Sequence, residues 1–288
     1  MMEQRIGVLG PGGVGGVLAA RFGAAGHDVT VVATERTAAE ITVRGLTLRG
    51  PDGERVETRP VARPYLTAAV DLLVIAVKAT DLVTALARVP AASLGAATVV
   101  PLLNGVDHPA LLRAAYPAAT VVPASIAIEA TRVRAGEIEQ RSGMADVVIT
   151  DGTPATDLFG TTGLRVTTHP DEATVLWRKL AFLAPLALLT TAADAPIGPA
   201  RTDRADELRT VVEETAAAAA TRGVRIEPDT VLDRLAALPA TMESSMLKDR
   251  RSGRTLELDA IAGPVVRALG ADTARTTVGL VGEILAGT

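Results

Sequence analysis

The chain has 288 residues and a formal net charge of −4, with 48% hydrophobic and 22% charged residues. That length allows two domains with substantial cores, and the lack of a basic surplus argues against nucleic acid or an anionic membrane as a partner. Cysteine is absent, which excludes disulfides and thiolate chemistry and fits a reducing cytoplasm.

The N-terminal residues and the apolar runs favour a cytoplasmic protein, and the histidine spacing argues against a metal site. The first residues begin a strand without a signal-peptide pattern, and the longest apolar runs are too short or too interrupted to span a bilayer. The three histidines lack metal-ligand spacing, so we expect no metal site.

The first half alternates short apolar runs with amphipathic segments. The predicted strands are Arg5–Leu9, Asp28–Val32, Leu72–Val77, Thr98–Leu102 and Thr120–Ile128. The predicted helices are Val14–Ala25, Thr37–Arg44, Thr80–Val89 and Pro109–Ala115. This β-α-β-α order predicts an α/β fold: a doubly wound, mostly parallel sheet with helices on both faces.

Two further strand pairs are expected in this half. Leu46–Leu48 and Val56–Pro60 flank Pro51–Gly53 and predict a hairpin insertion. Val133–Gln140 and Ala145–Thr150 are predicted to be strands at the antiparallel end of the same sheet.

The pattern changes near residues 167–170, after which helical periodicity dominates. The helices predicted there are Glu172–Ala193, Ala200–Arg222, Pro228–Leu235, Met242–Arg250 and Leu256–Leu269. We therefore expect a dinucleotide-binding domain over residues 1–167 and an all-helical substrate domain over residues 168–288. A cleft between two such domains is the default place for a ligand.

A glycine-rich loop follows the first strand and opens the first helix. Gly10, Gly12 and Gly15 have G-x-G-x-x-G spacing, and with Gly13 they form the loop expected to hold a dinucleotide. A purely structural glycine turn is the alternative. The second strand ends in VVATERT, where an acid favours NAD and an arginine favours NADP. Glu35 and Arg36 are both present, so the residues alone leave the cofactor open.

Lys179 stands in an otherwise almost wholly apolar stretch, VLWRKLAFLAPLALLT. A buried lysine is costly unless it is paired or performs chemistry, and desolvation lowers its pKa into a range useful for proton transfer. The alternative is a lysine that extends its ammonium out of an amphipathic helix into water.

Six dispersed motifs, in order and over nearly the whole length, resemble the ketopantoate reductase (2-dehydropantoate 2-reductase) family. They are the glycine loop, VKAT at 77–80, LLNGV at 102–106, LWRKLA at 176–181, SSMLKD at 244–249 and LELD at 256–259. The resemblance implies a Rossmann-type domain followed by a helical domain. It also implies an NADPH-dependent oxidoreductase that reduces the 2-oxo group of ketopantoate, a small carbonyl substrate, on the route to pantothenate. The resemblance leaves open NADH as the cofactor and a homodimer as the assembly.

The resemblance implies roles for individual residues. Lys179 matches the general acid, Glu257 the acid that binds the substrate hydroxyl, and Asn104 an amide near nicotinamide and substrate. Ser245 matches a substrate-binding serine and Lys78 a lysine at the cofactor. Each has a plainer alternative: Asn104-Gly105 as a turn, Glu257 on a solvated helix face, and Ser244 or Ser245 as a helix cap.

The chain departs from the family where the family carries asparagine. Leu183, Ala187 and Met242 stand at those positions and would give the substrate site a more apolar lining. Thr34 stands where the family often has an arginine at the end of the second strand, and Arg36 could replace it.

Three other interpretations stay open, the first and third because of these departures and the second because such enzymes share a Rossmann domain, a helical domain and a catalytic lysine. One is a reductase for a bulkier, less polar ketone or imine. Another is a relative of the 6-phosphogluconate or β-hydroxyacid dehydrogenases, and the third is a dinucleotide-binding module without catalysis.

Overall fold

The computed structural model describes residues 3–150 and 154–287, and its contacts divide the chain into two compact units. The first unit contains Met1–Leu103 and His108–Val175, and the second contains Asn104–Asp107 and Leu176–Thr288. The first unit thus extends past the boundary expected at residue 167. One reason is that a strand at Arg165–His169 pairs within it.

The described residues of the first unit alternate strands and short helices. Its strands are β1 (Arg5–Leu9), β2 (Asp28–Val32), β3 (Leu46–Arg49), β4 (Arg55–Thr58), β5 (Val61–Arg63), β6 (Leu72–Ile75), β7 (Thr98–Pro101), β8 (Thr120–Val121), β9 (Ala124–Arg134), β10 (Glu137–Thr150) and β11 (Arg165–His169). Its helices are α1 (Gly13–Ala24), α2 (Glu35–Arg44), α3 (Leu82–Leu86), α4 (Ala91–Leu94), α5 (His108–Ala115) and α6 (Ala155–Gly160), with a 3-10 turn at Ala79–Asp81.

Six strands form a parallel sheet in the order β5-β2-β1-β6-β7-β8. Its central strands are apolar and buried, as in β6, where Leu72 to Ile75 are all buried. The predicted doubly wound parallel sheet is confirmed. Because the strands are parallel, their carboxyl ends lie at one edge, where ligands bind in such folds.

The expected antiparallel end of that sheet is instead part of a second sheet. β10 pairs with β9, β3 and β11, and β3 pairs with β4 in the expected hairpin. The predicted strand Val133–Gln140 is wrong as one continuous strand, because the chain turns within it: Gly136 has φ +79° and joins β9 to β10, and β10 includes the predicted strand Ala145–Thr150. The predicted strand Thr120–Ile128 is interrupted between β8 and β9, where Pro123 cannot donate a backbone hydrogen bond.

The second unit is helical. Its helices are the main part of α7 (Glu172–Ala192), then α8 (Ile197–Asp203), α9 (Ala205–Ala220), α10 (Pro228–Ala236), α11 (Ser245–Arg251), α12 (Leu258–Ile261), α13 (Gly263–Leu269) and α14 (Arg275–Ala286). Two predicted helices are each divided in two. Arg204 leaves helical geometry between α8 and α9, and Pro264 begins a new helix after α12.

Helix α7 is both long and apolar. Among the residues that the structure describes, it is the one helix with the length and hydropathy to cross a membrane, yet 67% of its apolar window is buried inside the protein. Core helices commonly have this composition, so the feature is weak support for a membrane segment.

Candidate active site

The glycine loop has the close packing that its motif requires. Gly10 has φ +90°, and an ideal Cβ there would lie 2.6 Å from the Val77 side chain. A Cβ on Gly15 would lie 2.2 Å from the carbonyl oxygen of Gly10. Glycine at these two positions therefore lets α1 pack against the end of β1.

Gly12 and Gly13 differ from each other in their surroundings. A Cβ on Gly12 would meet no atom within 4 Å, whereas one on Gly13 would lie 2.3 Å from the carbonyl oxygen of Ala130. Gly12 is the N-cap of α1 and no side chain caps that helix. The first N–H groups of α1 and the open space beside Gly12 fit the pyrophosphate of a dinucleotide.

The end of β2 carries the groups that can contact the ribose of such a cofactor. Thr34 caps α2, with its hydroxyl oxygen accepting a hydrogen bond from the Thr37 N–H at 3.4 Å. The Arg36 side chain is 90% exposed and lies 4.0 Å from Glu40 on the next turn of α2. Thr34 brings no charge to this place, and Arg36 is a solvated helix residue.

The sequence pattern did not single out Arg88, which also reaches the end of β2. Its guanidinium donates to both carboxylate oxygens of Glu35, at 3.1 and 3.4 Å. It also donates to the carbonyl oxygens of Ala33 and Pro64, and it lies over the Tyr65 ring. This guanidinium holds the pKa of Glu35 below its usual range. No sequence motif identifies Arg88, because it lies more than fifty residues from Ala33 and Glu35 in the chain.

Lys78, the other residue predicted near the cofactor, lies at the carboxyl end of β6. It is half-buried and begins the 3-10 turn at Ala79–Asp81. It therefore lies at the same sheet edge as the glycine loop, because β6 and β1 are parallel neighbours.

Lys179 lies in the second unit on α7, between helical neighbours that include Leu176, Leu180 and Leu183. Its side chain retains some exposure. Burial lowers the pKa of Lys179 to about 8, while the negative charge of Glu257 acts in the opposite direction. A lysine with this pKa is largely protonated at neutral pH and can still release its proton.

Glu257 is the negative group that acts on Lys179, and it is 6% exposed. Its carboxylate accepts a hydrogen bond from the side-chain amide of Asn104 at 3.0 Å. It occupies the N-cap position of α12 but makes no capping bond there. The structure thus brings together Lys179, Glu257 and Asn104, three residues singled out from the sequence, and Glu257 does not lie on a solvated face.

Two features fix the segment that carries Asn104. Gly105 has φ +89°, and a Cβ there would lie 2.7 Å from the carbonyl oxygen of Ala260, just after Glu257 in the chain. Arg267 on α13 pairs with Asp107 at 2.5 Å and with Asp259 at 2.6 Å. Arg267 therefore links the segment of Asn104 to α12, which begins beside Glu257.

The serine pair at the start of α11 divides into one buried and one exposed residue. Ser244 is buried, and its hydroxyl caps α11 by accepting the Leu247 N–H at 3.1 Å. The same hydroxyl lies 2.7 Å from that of Thr190 on α7. Ser245 is exposed at the first position of α11, so the cap is Ser244.

The three positions where asparagine is missing have different environments. Leu183 and Ala187 follow Lys179 at four-residue spacing on one face of α7. Leu183 is partly exposed, whereas Ala187 is fully buried. Met242 is partly exposed, and its carbonyl oxygen accepts the Ile197 N–H at 2.9 Å. Within residues 3–150 and 154–287, no group of three His, Cys, Asp or Glu side chains could hold a metal.

The strand–glycine loop–helix cradle and the lysine on a separate helical unit define a class, the nicotinamide-dependent oxidoreductases with a Rossmann-type unit. Comparison with known families narrows the class. Residues 6–154 match the family model described as ketopantoate reductase PanE/ApbA, and residues 173–278 match its C-terminal counterpart. The chain belongs to the ketopantoate reductase family.

The similarity to individual relatives covers nearly the whole chain. The 2-dehydropantoate 2-reductase of Mycobacterium tuberculosis is 31% identical over a 277-residue alignment, which covers 92% of this chain and 91% of that protein. A PanE/ApbA family ketopantoate reductase from Ralstonia eutropha superposes with a TM-score of 0.88 at 23% identity, covering 98% of this chain and 97% of the other. A D-mandelate dehydrogenase with NADH and anilino(oxo)acetate superposes with a TM-score of 0.87 at 20% identity, covering 98% of this chain and 97% of the other. At these identities the two solved structures establish the fold alone.

Proposed function

We propose that the protein reduces the 2-oxo group of ketopantoate or a closely related 2-oxo acid with NADPH, with Lys179 as the general acid. The observation that carries the proposal is the half-buried Lys179, with a pKa of about 8, beside a buried carboxylate that Asn104 holds. Bound NADPH supplies the hydride. We also propose the cytoplasm as the place of action.

Residues of the second unit would donate the proton and position its donor. As the carbonyl carbon is reduced, negative charge develops on its oxygen, and the Lys179 ammonium donates a proton to that oxygen. Glu257 keeps Lys179 protonated at neutral pH and accepts a hydrogen bond from a substrate hydroxyl. Asn104 fixes the position of the Glu257 carboxylate, and Ser245, exposed at the start of α11, contributes a hydroxyl to the substrate.

The residues of the first unit would hold the cofactor. Gly10 and Gly15 give the loop its close packing, and the N–H groups after Gly12 contact the phosphates. The carboxyl end of β2 would contact the adenosine ribose.

A second candidate substrate is a bulkier, more apolar 2-oxo acid. Leu183 and Met242 are partly exposed at positions where the family has asparagine, so they offer methyl and methylene groups in place of amides. Each missing amide would leave a polar group of ketopantoate unpaired at a cost of about 1–3 kcal/mol. The D-mandelate dehydrogenase that shares this fold illustrates that the fold itself does not set the 2-oxo acid.

The test is to follow oxidation of NADPH, and separately of NADH, with ketopantoate and with a series of 2-oxo acids of increasing apolar bulk. Lys179→Ala should lower kcat by about 10²–10⁴-fold. The matched control is Arg178→Ala, which removes an exposed cation from the adjacent position and should leave kcat unchanged. Turnover that survives Lys179→Ala would contradict the assignment of the acid. A series in which an apolar 2-oxo acid has a kcat/KM well above that of ketopantoate would favour the second substrate.

A further inference from the structure

We infer that Arg88 is the residue that recognises the 2′-phosphate of NADPH, and that Glu35 competes with this phosphate for the Arg88 guanidinium. The inference rests on the proposed function in one respect, the use of NADPH. It concerns the first unit alone, and none of its steps depends on which 2-oxo acid is reduced.

The location of Arg88 is the first reason. In a Rossmann-type sheet the adenosine ribose is contacted at the carboxyl end of the second strand. The Arg88 guanidinium lies there, within 3.4 Å of the carbonyl oxygen of Ala33, the residue after β2. It is also 3.1 Å from the carbonyl oxygen of Pro64, the residue after β5, which is the neighbouring strand.

Pre-organisation is the second reason. The Arg88 side chain is 23% exposed, held by two backbone carbonyls and by the face of Tyr65, 5.5 Å from its ring centroid. A guanidinium fixed in this way loses little rotamer freedom when it binds an anion, and its planar donors match phosphate oxygens. Arg36, the arginine nearest to β2 in sequence, is 90% exposed on α2 and has no comparable support.

The third reason is the nature of the group that Arg88 now holds. The Glu35 carboxylate accepts from both terminal nitrogens of Arg88, as a phosphate would. Glu35 is 65% exposed and sits at the first position of α2, so it can rotate into water without loss of buried contacts. A phosphate carries more negative charge than a carboxylate and can replace it on Arg88. With NADH, Glu35 instead remains available to accept from a ribose hydroxyl.

The roles of the two residues predict opposite effects on binding. Removing Arg88 should weaken binding of the 2′-phosphate, and neutralising Glu35 should strengthen it, because its competitor for the guanidinium is gone. A merely structural Arg88 would affect nucleotides with and without that phosphate alike.

The experiment is calorimetric titration of the whole protein with adenosine 2′,5′-bisphosphate and with adenosine 5′-monophosphate, which differ only in the 2′-phosphate. Arg88→Met should raise the Kd of the bisphosphate by about 10- to 100-fold while changing the Kd of the monophosphate by less than about twofold. Glu35→Gln, which keeps the size of the side chain, should lower the Kd of the bisphosphate several-fold. Arg36→Met tests the other arginine near β2 as the phosphate-binding residue, and it should change the ratio of the two Kd values by less than about twofold.

Three outcomes would overturn the inference. They are loss of discrimination in Arg36→Met in place of Arg88→Met, equal weakening of both nucleotides in Arg88→Met, and no gain in Glu35→Gln. Because no carbonyl substrate is present, selective bisphosphate binding in a protein that fails to reduce any 2-oxo acid would refute the proposed function and leave this inference standing.

Discussion

Replacing Lys179 by methionine should stabilise the protein at neutral pH while lowering kcat by about 10²–10⁴-fold. The pKa of Lys179 falls from 10.5 to about 8 on folding, because burial disfavours its charge more than Glu257 favours it. At 1.36 kcal/mol per pKa unit, a shift of about 2.5 units means that the charged lysine destabilises the folded protein by about 3 kcal/mol at pH 7. Methionine has a similar length and no charge, so the free energy of unfolding should rise by up to this amount.

The pH dependence gives the sign of this effect. A lysine whose pKa is lowered by folding destabilises the protein most below the folded pKa, and the penalty disappears as the pH rises towards 10.5. The stability advantage of Lys179→Met should therefore shrink to about 1.4 kcal/mol at pH 9.5. The assay is urea unfolding of both proteins at pH 7 and pH 9.5, with Arg178→Met as the exposed control. A Lys179→Met protein that is less stable than the wild type at pH 7, or whose advantage does not fall with pH, would refute a desolvated lysine.

Three further changes test the surroundings of the site. Glu257→Gln removes the charge that raises the pKa of Lys179, so the alkaline limb of the pH–rate profile should move to lower pH; an unmoved limb would exclude this coupling. Gly12→Ala should fold with wild-type stability, because the added Cβ meets no atom within 4 Å, and should bind NADPH at least about tenfold more weakly by calorimetry; unchanged binding would place the pyrophosphate elsewhere. Glu214→Gln disturbs the carboxylate that caps the first turn of α14 and should cost about 1–3 kcal/mol in urea unfolding, whereas the exposed neighbour Glu213→Gln should cost little; equal costs would argue against the cap.

The parts of the fold that the sequence predicts best are those set by local periodicity. β1 and β2 have the predicted bounds, and the G-x-G-x-x-G spacing correctly placed the turn and the first helix between them. The second sheet was missed because pairing between β10, β3 and β11 depends on contacts far apart in sequence. The turn at Gly136 was missed because an isolated glycine within a strand pattern can also mark a bulge.

Site residues that lie within the family motifs could be predicted from the sequence, and those outside the motifs could not. The sequence singled out Lys179, Glu257 and Asn104 through a family resemblance, and the structure brings them together; their catalytic roles remain predictions. Arg88 and Arg267 are outside every motif, and only the folded chain reveals their partners.

The most direct test of the central claim is the pH dependence of kcat/KM for NADPH-dependent reduction of ketopantoate, or of the best 2-oxo acid found in the series. If Lys179 is the general acid, kcat/KM should fall tenfold per pH unit above an apparent pKa of about 8, because only the protonated lysine can donate. The same limb should be missing from the residual activity of Lys179→Ala. A profile that stays level to pH 10, or a limb near pH 8 that persists without Lys179, would contradict the account.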